Sequence, residues 1–318
     1  MNYIKSNSGF RSAGFAVIAC AILAACGGGG GGDEGTGLLS LGITDAPIDE
    51  VQSVVVQFSG VAFKREGMGS ETVTDLEPSP RQIDLMQFQD GRAAILLDDV
   101  TLPAGRYEWV RLIVDNEPNV RDSFVMLDSG AECELRVPSG AESGLKLHSG
   151  FTLPADGSVA LTVDFDLRKS LHAPPGQRGT GLDCTQAFLL RPTLRLVDNA
   201  NVGAIAGHVD AALVTGDCLP KVYVFEGADA ASDDIEESTP TTPDVDPMLV
   251  ATVNVVNGVT RYDYRASFVP AGTYTVAFTC GDDDPTDDDT LTFIQPQNAT
   301  VQPNLITIVD FTAPSGGS

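Results

Sequence analysis

From residue 37 onward, apolar and polar side chains alternate in short runs, and no helix-length stretch separates one run from the next. That pattern dictates sheets, because successive side chains of a strand point to opposite faces. Val51-Gln52-Ser53-Val54-Val55-Val56-Gln57-Phe58 is rich in β-branched residues and lacks helix formers. Arg106 to Asp115 alternates with Val110, Leu112 and Val114 on one face, and Val159 to Leu167 does the same. Phe188 to Val197 also alternates, although Pro192 confines that strand to an edge or a bulge. Turn signals such as Pro103-Ala104-Gly105 and Pro154-Ala155-Asp156-Gly157 punctuate the runs, in keeping with 33 Gly and 19 Pro. Seven further strands are expected at Gly203–Val209, Lys221–Phe225, Leu249–Val256, Tyr262–Phe268, Tyr274–Cys280, Leu291–Ile294 and Leu305–Phe311. Periodicity breaks at Asp198-Asn199-Ala200-Asn201. The expectation is an all-β chain with two antiparallel, sandwich-like domains, 37–198 and 203–314.

Residues 1–25 read as an export signal. Lys5 and Arg11 precede the apolar stretch Ala13 to Ala25, 13 residues long. As a helix this is roughly 20 Å, short of the ~30 Å hydrocarbon layer. Leu23-Ala24-Ala25-Cys26 resembles the lipobox of bacterial lipoproteins. That resemblance implies lipidation of Cys26, a membrane partner through the lipid, and a place in the cell envelope. Gly27 after the cysteine implies the outer membrane if the host is Gram-negative. The segment 26–36, with six glycines at 27–32, has almost nothing to pack. It is a tether of at most about 38 Å and on average about 18 Å.

Removing Cys20 with the signal and Cys26 to the lipid leaves Cys133, Cys184, Cys218 and Cys280. An even number in an exported chain implies disulfides, and the domain division selects Cys133–Cys184 and Cys218–Cys280 among three pairings. No C-x-x-C occurs, and His148, His172 and His208 lie far from any cysteine, so thiolate metal binding is not expected.

A formal charge of −25, from 44 acidic and 19 basic residues, excludes nucleic acid as a partner. The second domain is the more acidic, with Lys221, Arg261 and Arg265 as its only bases. Its run Asp282, Asp283, Asp284, Asp287, Asp288, Asp289 reads as a solvated loop, with Ca²⁺ ligation as the alternative. A second acidic connection, Gly227 to Leu249, carries Asp233, Asp234, Glu236, Glu237, Asp244 and Asp246, and two such loops at one sheet end could share a cation. Asp164, Asp166 and Arg168 alternate toward one face and match Arg191 and Arg195 on a later strand, which predicts cross-strand ion pairs. Asp45, before Ala46-Pro47, is expected to bond its own backbone in a turn. Tyr107, Trp109 and Arg111 share a face that reads as core, or as a stacking strip if exposed. The mature sequence has no G-x-S-x-G elbow and no H-E-x-x-H pair, so no catalytic residues are assigned.

Two family resemblances enter here. Leu41-Gly42-Ile43-Thr44-Asp45-Ala46-Pro47, Leu102 to Tyr107 with Val110-Arg111-Leu112, Asp164 to Leu171, and Leu190-Arg191-Pro192 resemble the lipoprotein module known as domain of unknown function 4382, over 37–198. The resemblance implies a β-rich extracytoplasmic module with no accepted activity. Ile205-Ala206-Gly207-His208-Val209 and Phe268 to Val276 are similar to carboxypeptidase regulatory-like, prealbumin-like sandwiches, over 203–314. That likeness implies a spacer, adhesion or sugar-binding role. The resulting expectation is a non-catalytic envelope lipoprotein for binding, adhesion or display, without a cofactor, whose partner is an envelope protein or a carbohydrate. The alternative is a divalent-cation or carbohydrate-binding lipoprotein.

Overall fold

The alternating runs become strands, and most of the remaining chain is turn. The computed structural model describes residues 35–45, 51–89, 91–115, 120–138, 144–174, 177, 181–235, 245–255, 262–283 and 289–313. The expected signal peptide, Cys26, nearly all of the tether, and Asp284, Asp287 and Asp288 lie outside these residues.

The first β module has two sheets. One has four strands in the order Leu194–Asp198, Ser158–Phe165, Thr36–Asp45, Ala94–Pro103. The other is built on the 15-residue strand Val51–Arg65, flanked by Gly105–Val114 and Phe124–Leu127. It continues through Glu132–Arg136 and Phe188–Leu190 to Leu171–His172. Leu39, Leu41 and Ile43 from the first sheet and Phe58, Phe63 and Tyr107 from the second belong to one core. The Tyr107 and Phe151 rings stack there at 4.8 Å. A second core, including Ile205, Val222, Val276, Phe278 and Phe311, lies within the seven-stranded sheet of the second module. The outermost strands of that sheet, Ile294–Val301 and Ile306–Ile308, come together where the Thr307 hydroxyl donates to the Thr300 carbonyl at 2.8 Å.

Most pairings are antiparallel, but three are parallel: Thr36–Asp45 with Ser158–Phe165, Glu132–Arg136 with Phe188–Leu190, and Val202–Val209 with Ile306–Ile308. Each joins segments far apart in sequence, where a long return permits what a tight turn forbids. Ile294–Val301 replaces the expected strand 291–294. Its polar Gln295-Pro296-Gln297-Asn298 suits an edge strand that the alternation alone does not reveal.

The side chains of Tyr107 and Trp109 lie on different faces, contrary to the strict alternation. Arg65 pairs with Tyr107 and Lys64 with Trp109, so residue 108 is an extra bulge residue that turns Tyr107 into the core. The Tyr107 hydroxyl donates to the Pro103 carbonyl at 2.7 Å, which satisfies its polar end on burial. Pro270-Ala271-Gly272-Thr273-Tyr274 repeats this clasp, with Tyr274 donating to Pro270 at 2.8 Å. In both places the chain leaves one strand for a strand that is not its neighbour.

Both disulfides form, Cys133–Cys184 across 51 positions and Cys218–Cys280 across 62. Glu34–Ser318 is one compact unit holding both modules.

Candidate functional site

Several charged groups that the sequence singles out, among them Asp164, Arg168, Arg195 and Asp283, converge where the two modules meet. The strand Ser158–Phe165 stops because its partner breaks at Arg191-Pro192-Thr193, where proline has no N–H to give the ladder. A one-turn helix, Leu167–Ser170, fills the gap. The Asp166 carboxylate caps it by accepting from the Lys169 N–H at 3.2 Å. Ser170 fastens it, its hydroxyl accepting from the Thr193 N–H at 2.8 Å and its carbonyl from the Arg191 N–H at 2.8 Å.

This break corrects part of the expected ion pairing. Asp164 does face Arg195 directly across the ladder, 2.5 Å from Nη2. Arg168, however, leaves the strand face on the helical turn and enters the second module, where it is only 6% exposed. Its Nη2 donates to the Asp283 carbonyl at 3.2 Å and lies 3.8 Å from Asp283 Oδ2. The Tyr223 hydroxyl donates to the same Oδ2, and the Ile235 N–H lies 3.4 Å from Oδ1. Lys169 Nζ meets Asp246 Oδ2 at 2.6 Å. Arg195 Nη2 also comes within 3.4 Å of the Phe268 carbonyl, presented by a bulge in which Phe268 has a φ of 54°. Gly91 lets the surfaces approach: a Cβ there would stand 2.8 Å from Ser267 Oγ.

Asp283 is thus buried at 4% exposure, which overturns the reading of its segment as wholly solvated. Asp282 is exposed, and Asp289 gives its N–H to Asp234 Oδ2 at 2.5 Å. Asp234, Asp283 and Asp289 bring carboxylate oxygens within 4.8 Å of one another, so the two acidic connections do converge. The same cluster holds cations of its own, Arg168 and the buried Lys221, whose charges act on Asp283. Burial is the largest effect on Asp283 and pushes its carboxyl above the ordinary range, against the Tyr223 hydrogen bond and the Arg168 charge. Burial also raises Tyr223, with the Asp283 charge adding to it. Asp164 and Asp166 are raised by burial, opposed chiefly by Arg195 and Lys169 respectively.

Three carboxyls with raised pKa bind protons more readily folded than unfolded. Their contribution to stability is therefore largest below the unfolded aspartate value and declines as pH rises through the raised folded values. The expected result is a higher melting temperature near pH 5 than near pH 7 by calorimetry. A D164N/D166N/D283N variant should show a smaller rise.

Beside the joint the strand break leaves a cleft of about 560 Å³, lined by Pro138, Lys169, His172, Leu190, Arg191, Pro192, Thr193 and Asp246. The sequence signals it only through Pro192 in an otherwise regular run. A smaller cavity, about 30 Å³, includes Asp45, Asp164, Arg265 and Ser267 in its lining. Asp45 is buried at the end of its strand and its N–H donates to the Phe88 carbonyl; the turn expected after it lies outside the described residues. Trp109 is half-buried, with Lys146 Nζ 4.3 Å from its ring centroid, a cation–π contact rather than core. His208 Nδ1 pairs with Asp263 at 2.5 Å, away from any cysteine partner.

With the fold and joint in place, residues 36–184 match the family described as "Domain of unknown function (DUF4382)". That match covers most of the first β module. No curated protein matches the chain. Among solved structures, the chain is similar to a leucine-rich repeat protein from Bacteroides thetaiotaomicron, at 12% identity and a TM-score of 0.23, covering 87% of this chain and 27% of that one. The Bacillus anthracis TIE protein follows at 10% identity and 0.20, covering 87% and 34%. GBS52, the minor pilin of Streptococcus agalactiae, matches at 9% identity and 0.19, covering 88% and 99%. The chain spans about a quarter to a third of the length of the first two.

Proposed function

We propose that this protein is a non-catalytic lipoprotein of the bacterial cell envelope, held by acylated Cys26, that presents its two β modules for binding, adhesion or display. The observation that carries the reading is the pair of disulfides, one closed within each module. Such bonds persist in oxidising compartments, in keeping with the export-type N-terminus. The polar joint of Arg168, Lys169 and Arg195 supports display of the two modules as one body. Mass spectrometry of the mature protein is the test: its first residue should be Cys26 bearing a diacylglyceryl group, and C26S should accumulate as unprocessed precursor. A mature chain starting elsewhere without acyl groups would reject the reading.

A bound divalent cation is the second reading, favoured by the meeting of Asp234 with Asp283 and Asp289 and opposed by the charges of Arg168 and Lys221. Under it the melting temperature rises in millimolar Ca²⁺ and D289N abolishes the rise; an unchanged melting curve removes it.

A further inference from the structure

We infer that the cleft at the strand break is a binding site for a carboxylate-bearing ligand of about disaccharide or dipeptide size, with Arg191 as its anchor. Its volume of about 560 Å³ is in the range of small-ligand sites. Of its eight lining residues two, Lys169 and Arg191, are cationic, against one acid, Asp246. That balance is the reverse of the chain's, with 44 acidic residues against 19 basic. Lys169 is engaged by Asp246, whereas the Arg191 guanidinium is exposed and makes no ion pair among the described residues. A planar guanidinium with five donors matches a carboxylate in two parallel hydrogen bonds. Pro138, Leu190 and Pro192 supply an apolar wall for the body of the ligand, and Thr193 supplies a hydroxyl. A bare inorganic anion would leave most of that space empty, so the ligand has an organic body. Asp246 belongs to the second module and stands at the same cleft, so an entering carboxylate meets its repulsion and competes with it for Lys169.

The shared chemistry is a carboxylate on a compact body, and an acidic sugar or a free peptide C-terminus could present it. The test is calorimetric titration of the full chain at low salt with digalacturonate and, separately, with the dipeptide Ala-Leu. Galactobiose and Ala-Leu amide serve as neutral counterparts. At least one acid should bind saturably, its neutral counterpart should not, and added salt should weaken binding. R191Q should weaken it about tenfold or more, whereas D246N should tighten it a few-fold, a change of sign that loss of folding cannot mimic. Binding of digalacturonate alone assigns the site to acidic sugars; binding of the dipeptide alone assigns it to chain termini. No saturable binding of either acid at 10 mM, equal binding of the neutral counterparts, or an R191Q variant indistinguishable from the parent overturns the inference. These outcomes are independent of whether Cys26 is acylated.

Discussion

R168A is expected to destabilise the folded chain by about 3–5 kcal/mol, the range for removing one partner of a buried ion pair. The truncation takes away the guanidinium that touches both the carbonyl and the carboxylate of Asp283 and leaves that carboxylate in a site 4% exposed. Asp283 retains one escape, which is to take up a proton. Its carboxyl is already raised by burial and loses a restraining charge in the variant. The deficit should therefore shrink as pH falls from 7 to 5. R168M/D283N, which removes both charges and keeps much of the volume, should recover a large part of the loss. Denaturant titration of the parent, R168M, D283N and R168M/D283N, the four chains of one cycle, measures the coupling directly. Equal losses for R168A at both pH values, with no recovery in the double variant, would show that packing rather than charge holds the joint.

Removal of the Cys218–Cys280 bond is the second large effect. It closes 62 positions of chain, and restricting the unfolded ensemble over such a loop is worth about 4 kcal/mol in the chain-entropy model, with measured losses of about 2–5. Cys280 follows the strand Gly272–Thr279 and leads directly to Asp282 and Asp283, so the bond lies next to the polar joint. C218S/C280S should therefore lower the denaturation midpoint. Added reductant, which opens both bonds, should lower the midpoint further in the parent chain than in the variant, and bring the two to nearly the same midpoint. C133S with C184S should show a comparable loss, since 51 positions close nearly the same loop entropy.

The strands were legible because alternation reports directly on which face a side chain takes. Asp164 opposite Arg195 was legible for the same reason, as equal spacing on two strands brings opposite charges level. Arg168 was misplaced because counting by twos assumes that a strand continues, and this one yields to a helical turn after Phe165. The cause, Pro192, is visible in the sequence, but its effect falls on a segment some 20 positions earlier, which only the pairing register reveals. Tyr107 is core as its sequence implies, but it does not share the face of Trp109 and Arg111, because a single bulge residue inverts the parity of everything before it. Asp283 was the least legible of all. Its neighbours in the chain are other carboxylates, while the groups that make burial tolerable, Arg168 and Tyr223, come from 115 and 60 positions away.

The meeting of Ile294–Val301 with Ile306–Ile308 has a colloidal consequence. An open sheet ends in a row of unanswered amides and carbonyls onto which any extended stranger can zip. By curling until its outermost strands touch, the second module withdraws most of that invitation, and it does so with Pro296 on one margin but without the lysines that often guard such an edge. An acidic protein with few positive charges to spend has good reason to seal itself by geometry.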